Sequence, residues 1–499
     1  MLKKPNQLRE GIIWRSCVIL INRSGAILVT LLLAKILIPE DFGLVAVASV
    51  LTNSLDMVMT IGLPTALICQ TKNLEEDLPT VFTYLLVASS VLYVFAFFMA
   101  PVFARLMGDE RFIAIVRVAS LTLIFNSFSL PHYVTSAKRM NFKLNALPEI
   151  IGKFSYLILA PILAFNHFAY WSIIIATIVN SLTRYLAYAY FIRVPLHLDW
   201  NQKVLKGLLS FSVFIAVNSI LMFCLESFDE VFIAKIISLS AAGYYFFAMR
   251  INQFPWQFIS NVTFSVLLPH LAQKDSFNAK KRSFLNVNQS ISMITFAAYG
   301  YLVLLVPHAI RLYGQKWLPV IPIFYALAAY AVIKTLFGRI STYVYATSRP
   351  QLFTFAILFF SCFVYPTLWI WKDYVSAFYV AVIYAAGMML SFLMVTIYFF
   401  AQKEFTLREY TAPIVVNFLI AASALASAVL ISQLTQGFQA RWLQIALSLI
   451  VYTVCLLLGW RLFLWKDIEF LLKRLDLYKT LSKFLNFSFG RPKAEVMNV

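Results

Sequence analysis

The chain has 499 residues, of which 61% are hydrophobic and only 13% are charged, and its formal net charge is +19. With a mean hydropathy of +0.79, this composition excludes an ordinary soluble domain and is typical of a helical protein that crosses a membrane many times. The basic residues cluster in short segments between apolar runs, where they set membrane orientation, so the positive charge does not predict a nucleic-acid partner.

Apolar runs of about 20 residues, long enough to cross roughly 30 Å of hydrocarbon, predict fourteen transmembrane helices. In chain order they lie near 12–36, 42–68, 80–103, 112–136, 150–165, 170–191, 207–236, 242–268, 286–308, 318–346, 351–370, 376–400, 411–433 and 442–463. The N-terminal run is too long and too polar for a cleaved signal peptide, so we expect it to be retained as the first span. The predicted fold class is an all-α polytopic membrane protein.

A segment near the N-terminus recurs 200 residues later. The sequence LLLAKILIPEDFGLVAVASVL at 31–51 aligns without a gap with VFIAKIISLSAAGYYFFAMRI at 231–251. The identities are Ala34, Lys35, Ile36, Gly43 and Ala48, facing Ala234, Lys235, Ile236, Gly243 and Ala248. Alone, the first copy is a well-made helical hairpin in which Pro39 begins the second helix. The recurrence indicates two related halves.

The repeat and the spacing of the spans predict four regions. Residues 1–200 and 201–400 form two six-helix lobes, and residues 401–465 form transmembrane helices 13 and 14. Residues 466–499 form a basic amphipathic cytoplasmic tail, which lies in the membrane interface or packs on the last two spans.

The loop charges predict the orientation. With the N-terminus inside, seventeen basic residues fall in interior loops and six in exterior loops, the six being Arg105, Arg111, Arg311, Lys316, Lys372 and Arg441. This positive-inside bias fits an even number of spans, and both termini are then cytoplasmic.

Charged residues inside the spans are the candidate functional residues. An ionised side chain at the centre of a span costs about 2.5 to 3.5 kcal/mol, so such groups should face protein or water. The candidates for contacting a substrate are Arg15, Arg23, Arg184, Arg250 and Arg339. The acids Asp56, Glu226 and Asp229 are candidates for ion coupling or for structural ties to the arginines. The basic surplus favours an anionic ligand, which arginine binds bidentately.

The sequence gives no sign of a catalytic, cofactor or metal site. Its five histidines are isolated, and its five cysteines are scattered through apolar runs without paired spacing, so neither a disulfide framework nor a metal site is indicated. Walker-type phosphate loops are missing, and no extramembrane loop is large enough for an active site. We therefore expect a transporter rather than an enzyme, without a cofactor.

Three stretches resemble a known family. They are GIIWRS from Gly11 with the repeat segment that follows, IGLPTALICQ at 61–70, and SFDEVFIAKIISLSAAGYYFFAMRINQFP in the middle of the chain. These resemble the polysaccharide flippases of O-antigen and colanic-acid type (Wzx-like), within the multidrug/oligosaccharidyl-lipid/polysaccharide exporter superfamily. The six, six and two arrangement of spans is similar over the whole chain, although Lys35 stands where the family more often has arginine.

The resemblance implies a flippase for a polyprenyl-diphosphate-linked oligosaccharide in a bacterial inner membrane, working by alternating access. Its partners would be this lipid-linked glycan and membrane lipids, with other polysaccharide assembly proteins as further candidates. The alternative is a cation-coupled multidrug exporter of the same superfamily, with an expected cavity that is less basic. A membrane glycan polymerase or ligase would need a large outer loop, which the sequence lacks.

Overall fold

The computed structural model describes the backbone of residues 5–70, 73–139, 141–194, 196–272, 276–347, 349–435 and 441–474. Side chains are described for these residues except 5–13, 15–17, 19–20, 22–23, 69–70, 211, 214–222, 224–226, 262, 265–266, 268–270, 272, 350, 441 and 464–474. The predicted side-chain roles of Arg15, Arg23 and Glu226 therefore lie outside the described residues, as does most of the predicted tail.

The described chain is helical and contains no strand. Its helices are α1 Pro5–Ile36, α2 Pro39–Thr60, α3 Leu63–Gln70, α4 Leu74–Met107, α5 Arg111–Ala119, α6 Leu121–Lys138, α7 Phe142–Phe165, α8 Trp171–Phe191, α9 Gln202–Ile236, α10 Leu239–Ala272, α11 Phe277–Leu312, a 3₁₀ turn Gln315–Trp317, α12 Val320–Ala346, α13 Pro350–Ile370, α14 Ala377–Ala401, α15 Leu407–Leu434 and α16 Arg441–Arg474. Each predicted span overlaps one of these helices or a consecutive pair, which confirms the fold class.

Eleven helical segments of the described chain are long and apolar enough to cross a membrane. Helices α1, α9 and α10 are not among these eleven segments. They contain three further predicted spans and many of the side chains that the structure does not describe. The total of fourteen therefore stays a prediction. Large apolar side chains such as Phe98, 68% exposed, and Ile397, 62% exposed, cover the outer surfaces, as expected where lipid replaces water. The protein is a multi-pass membrane protein.

Several helices extend beyond the apolar runs that predicted them. Helix α4 begins six residues before its predicted span, and Glu75, Glu76 and Asp77 occupy its first turn. Acidic groups are favourable at this positive end of the helix dipole, so polar residues can continue the helix outside the hydrocarbon. Two predicted spans are interrupted, between α2 and α3 at Ile61 and Gly62, both with positive φ, and between α5 and α6 at Ser120.

The helices pack as two compact units. The first comprises residues 1–254, 310–327 and 361–387, and the second comprises residues 255–309, 328–360 and 388–499. The lobes that the repeat indicates, 1–200 and 201–400, remain a prediction.

The two copies of the sequence repeat meet within the first unit. A Cβ atom added at Gly43 would overlap the carbonyl of Leu239, and one added at Gly243 would overlap the carbonyl of Pro39. The two contacts exchange under a shift of 200 residues, since 39 becomes 239 and 43 becomes 243. Glycine is required at both positions because only its missing side chain lets the two turns approach so closely.

Aromatic rings surround this glycine contact. The Phe42 ring lies 5.4 Å from the Trp317 ring, and Phe247 lies 4.7 Å from the same ring. Trp317 is fully buried, and its indole Nε1 donates to the Ala34 carbonyl at 2.7 Å. Asp41 accepts from the Ile38 backbone N–H at 3.1 Å, and Pro39 begins α2 as predicted. The ends of α1 and the starts of α2 and α10 are therefore fixed together.

Candidate functional site

The first unit encloses a cavity of about 320 Å³ between its helices. Its charged residues are Asp56 on α2, Lys153 on α7, Arg184 on α8 and Arg250 on α10. Amide and phenol groups also line it, from Asn53, Asn126, Tyr156 and Asn180, with hydroxyl groups from Thr30, Ser49, Thr52, Thr122, Thr177 and Ser181. Three basic residues against one acidic residue give the described lining a net charge of +2.

Asp56, Asn126 and Arg184 form a connected chain of hydrogen bonds at the cavity wall. The Asn126 side-chain Nδ2 donates to Asp56 Oδ1 at 2.8 Å, and Arg184 Nη2 donates to Asn126 Oδ1 at 2.6 Å. Asn126 therefore connects the acid to the base through a neutral amide. The Arg184 Nε is buried and has no hydrogen-bond partner in the described part of the chain. The bond to Asn126 fixes the position of the Arg184 guanidinium in the cavity wall.

Arg250 is held differently, by an aromatic face. Its guanidinium carbon lies 4.6 Å from the centre of the Phe246 ring, and Phe246 also lines the cavity. The described residues provide no hydrogen-bond acceptor to Arg250, although its charge acts on the neighbouring Glu230 and Tyr156. A cation–π contact orients a guanidinium and leaves its in-plane N–H donors available.

Gly152 allows the helices that carry these groups to approach each other. A Cβ atom at residue 152 would lie 2.8 Å from Asn180 Oδ1 and 2.9 Å from the Cβ of Arg184. Helix α7 can therefore pack on α8 at this level only without a side chain at residue 152. The glycine fixes the depth at which Arg184 enters the cavity.

Lys153 and Tyr156 line this cavity but were not among the candidate residues predicted from the sequence. The Lys153 ammonium lies 4.4 Å above the Tyr156 ring, and both side chains line the cavity. A lysine inside the predicted span 150–165, three residues before a tyrosine, was the available signal. The second, fourth and sixth predicted spans also contribute polar side chains to the cavity, namely Asn53 and Asp56, Thr122 and Asn126, and Asn180 and Arg184.

The other predicted site residues lie elsewhere or are undescribed. Asp229 is 1% exposed, accepts from the Tyr245 hydroxyl at 2.6 Å and from the Glu230 backbone N–H at 3.0 Å, and does not line the cavity. Arg339 belongs to the second unit, where its Nη1 donates to the Asn288 carbonyl at 2.7 Å and to Ser292 Oγ at 2.9 Å. Of the predicted charged residues, the cavity brings together Asp56, Arg184 and Arg250.

Among the described residues no group of three or more histidine, cysteine, aspartate or glutamate side chains could hold a metal ion. The lining of the cavity consists instead of basic side chains, amides, hydroxyl groups and aromatic rings. Such a lining suits a ligand that combines negative charge with many hydroxyl groups.

The chain is similar in sequence to several proteins named for polysaccharide biosynthesis. The chain is 28% identical over 316 residues to the succinoglycan biosynthesis transport protein ExoT of Rhizobium meliloti (strain 1021), covering 63% of each chain. It is 22% identical over 303 residues to the teichuronic acid biosynthesis protein TuaB of Bacillus subtilis (strain 168), covering 59% of this chain and 62% of that one. It is 20% identical over 331 residues to the lipopolysaccharide biosynthesis protein WzxC of Escherichia coli (strain K12), covering 64% and 66%. The matches therefore span less than two thirds of these relatives.

Solved structures share the fold. The lipid II flippase MurJ in an inward closed conformation superposes with a TM-score of 0.72 at 15% identity, covering 90% of this chain and 99% of that one. An inward-facing multidrug resistance MATE transporter of the MOP superfamily gives 0.61 at 15% identity, covering 83% and 98%. The family model described as polysaccharide biosynthesis protein matches residues 32–322, more than half of the chain. The chain therefore belongs to this polysaccharide biosynthesis protein family, as its resemblance predicted.

Proposed function

We propose that this protein is a flippase that moves a polyprenyl-diphosphate-linked oligosaccharide across a bacterial inner membrane by alternating access. The observation that carries the proposal is the cavity whose described lining has a net charge of +2 and includes the guanidinium groups of Arg184 and Arg250. A diphosphate presents oxygens that guanidinium groups bind bidentately, and the hydroxyl and amide lining suits sugars.

The relatives support the class of substrate. The similar proteins include a succinoglycan biosynthesis transport protein and a lipopolysaccharide biosynthesis protein, and MurJ, which shares the fold, is a lipid II flippase. The protein would thus act on a lipid-linked repeat unit during synthesis of a surface polysaccharide.

A cation-coupled multidrug exporter is the second candidate, and the fold is also compatible with it. The cavity disfavours it because a lining of +2 repels cationic drugs. Asp56, which could bind a coupling cation, is hydrogen-bonded to Asn126. The balance of charge therefore favours an anionic substrate.

Transport without catalysis and an orientation with both termini in the cytoplasm complete the proposal. The excess of seventeen interior over six exterior basic residues supports this orientation. It places the turns before α2 and α10, where Gly43 and Gly243 meet, on the periplasmic side.

The proposal is tested by complementing glycan export in a strain that lacks its own flippase. Each charge-assisted contact to phosphate contributes about 1.5 to 3 kcal/mol, which is a factor of about ten or more in affinity. We expect Arg184→Ala and Arg250→Ala to lower export at least tenfold while the protein still reaches the membrane. Lysine at either position should restore export partly, because the charge returns without the bidentate fork.

The matched control is Arg105→Ala, which removes an exposed arginine from the same unit that does not line the cavity. Membrane abundance is measured for every variant, so that loss of folding is not counted as loss of transport. Normal export by abundant Arg184→Ala and Arg250→Ala proteins would remove the cavity from the transport path.

A further inference from the structure

The second unit contains a buried arginine for which its described residues provide no carboxylate. Arg339 on α12 is 2% exposed, and it donates hydrogen bonds to the neutral carbonyl of Asn288 and to the hydroxyl of Ser292. The acidic residues with described side chains in this unit are Glu404 and Glu409. Glu404 pairs with Arg349, and Glu409 pairs with Lys281 at 2.9 Å. The charge of Arg339 is therefore not balanced within the described unit.

Hydrogen-bond donors beside Arg339 are also unused. Its Nε and Nη2 have no partner among the described residues, and the same holds for the side-chain amide of Asn288 and the hydroxyl of Thr295. Asn288, Ser292 and Thr295 occupy positions i, i+4 and i+7 of α11, which place them on one face of that helix. The bonds from Arg339 to the Asn288 carbonyl and to Ser292 Oγ show that the guanidinium lies against α11 at this level.

These side chains are enclosed. Asn288, Ser292 and Thr295 are fully buried. A buried polar group is normally hydrogen-bonded, and a buried charge is normally paired, because desolvation without compensation costs several kcal/mol. The Asn288 carbonyl and the Ser292 hydroxyl accept hydrogen bonds from Arg339 but carry no charge that would balance it. An anion that accepts hydrogen bonds would balance the charge and bond the unused donors.

We propose that Arg339, Asn288 and Thr295 bind a small inorganic anion of the size of chloride. The guanidinium Nε and Nη2, the Asn288 amide Nδ2 and the Thr295 hydroxyl supply donors, and the guanidinium supplies the charge. The bound anion is small because every described side chain of the cluster is buried. A diphosphate that carries sugars and a lipid therefore has no access to it. This site is distinct from the cavity of the first unit and does not depend on the proposed substrate.

The test is thermal unfolding of the purified full-length protein in sodium chloride or sodium bromide against sodium gluconate at equal ionic strength. A ligand that binds only the folded state raises the unfolding midpoint in proportion to ln(1 + [L]/Kd), so the halide effect should be saturable. We expect a rise of about 2 °C or more in either halide relative to gluconate. Crystals grown in bromide should show an anomalous peak within hydrogen-bond distance of Arg339 Nε.

Variants connect the halide effect to this cluster. Arg339→Met should abolish the difference between halide and gluconate, and Arg339→Lys should keep a smaller one. Arg282→Gln is the matched control, because Arg282 is an exposed arginine on α11 of the same unit, and its variant should respond like the wild type. If Arg339→Met does not fold, Thr295→Val serves instead, with the charge retained and a smaller halide response expected.

Two results would overturn the proposal. The first is a wild-type protein whose unfolding midpoint is the same in chloride, bromide and gluconate, which would mean that neutral groups such as water satisfy the cluster. The second is an equal halide response in the wild type and in Arg339→Met or Thr295→Val, which would place the anion elsewhere.

Discussion

Arg184 in the first unit and Arg339 in the second carry the same charge on membrane-crossing helices, but different groups surround them. Arg184 lines a cavity and is connected to Asp56 through the amide of Asn126. Arg339 is 2% exposed and has neutral oxygen partners without a described carboxylate. Arg111, at the end of the loop before α5, is a third case, because it pairs with both Glu40 and Asp109.

The role of an arginine in this chain is therefore set by its surroundings. Where an amide connects it to an acid and a cavity adjoins it, the guanidinium is positioned to contact a ligand in that cavity. Where it is enclosed without an acid, the same group needs a small counter-ion. Where it is paired with carboxylates outside a span, as Arg111 is at the start of α5, it connects two segments of the chain and contributes little to stability.

Methionine in place of Arg184 or of Arg339 gives the largest expected contrast. Arg184→Met should lower export at least tenfold with unchanged membrane abundance, because a phosphate contact of about 1.5 to 3 kcal/mol is lost. Arg339→Met should leave export per molecule within about twofold, because Arg339 lies in the second unit and does not line the cavity. Export and abundance are measured in the same complemented strain. A tenfold loss of export per molecule in Arg339→Met would remove the distinction between the two sites.

The reciprocal glycines test the end of the cavity that Phe42 and Phe246 line. Gly43→Ala and Gly243→Ala should each reduce export severalfold, because each added methyl group collides with a backbone carbonyl that cannot move as a side chain would. Since the two contacts are equivalent, the two losses should be similar. Gly207→Ala is the control, because nothing lies within 4 Å of a Cβ at that position. Wild-type export by both variants would contradict the close contact.

Gly152 tests whether the position of Arg184 matters. Gly152→Ala should push α8 from α7 by a few tenths of an ångström, moving the guanidinium relative to Arg250 and weakening substrate binding. We expect export to fall less than in Arg184→Met, with overpacking costing about 1 to 3 kcal/mol of stability. The measurement is export at matched abundance, and combining Gly152→Ala with Arg184→Met should add little further loss. A fully additive loss would show that Gly152 acts elsewhere.

The loop arginine gives the smallest expected effect. The Arg111 guanidinium beside Asp109 holds the pKa of that carboxyl below its usual range. A lowered pKa contributes stability above the unfolded pKa of about 3.9, and that contribution is lost as the pH falls through the folded value. Wild-type protein should therefore lose slightly more thermal stability than Asp109→Asn below about pH 4. Identical pH profiles would show that the pair is energetically silent.

The sequence predicted most of the helices because an apolar run of about 20 residues is typical of a membrane-spanning helix. It predicted the turn before α2 because proline is favoured at the first position of a helix. It also indicated Arg184 and Arg250, with Arg339, as candidates for contacting a substrate. It could not separate Arg339 from that set, because the face a helix buries is decided by its neighbours and not by its own spacing. Lys153 was missed because a single lysine in an apolar run carries no periodic signal.

The most direct measurement is binding of a purified polyprenyl-diphosphate oligosaccharide to the detergent-solubilised protein, compared with the same oligosaccharide on a neutral polyprenol. We expect the wild type to bind the diphosphate form at least tenfold more tightly than the neutral form. The double variant Arg184→Ala with Arg250→Ala should lose this preference, and Arg339→Met should keep it. Equal affinity of the wild type for the two lipids, or an unchanged preference in the double variant, would contradict the assignment of the cavity to the substrate phosphates.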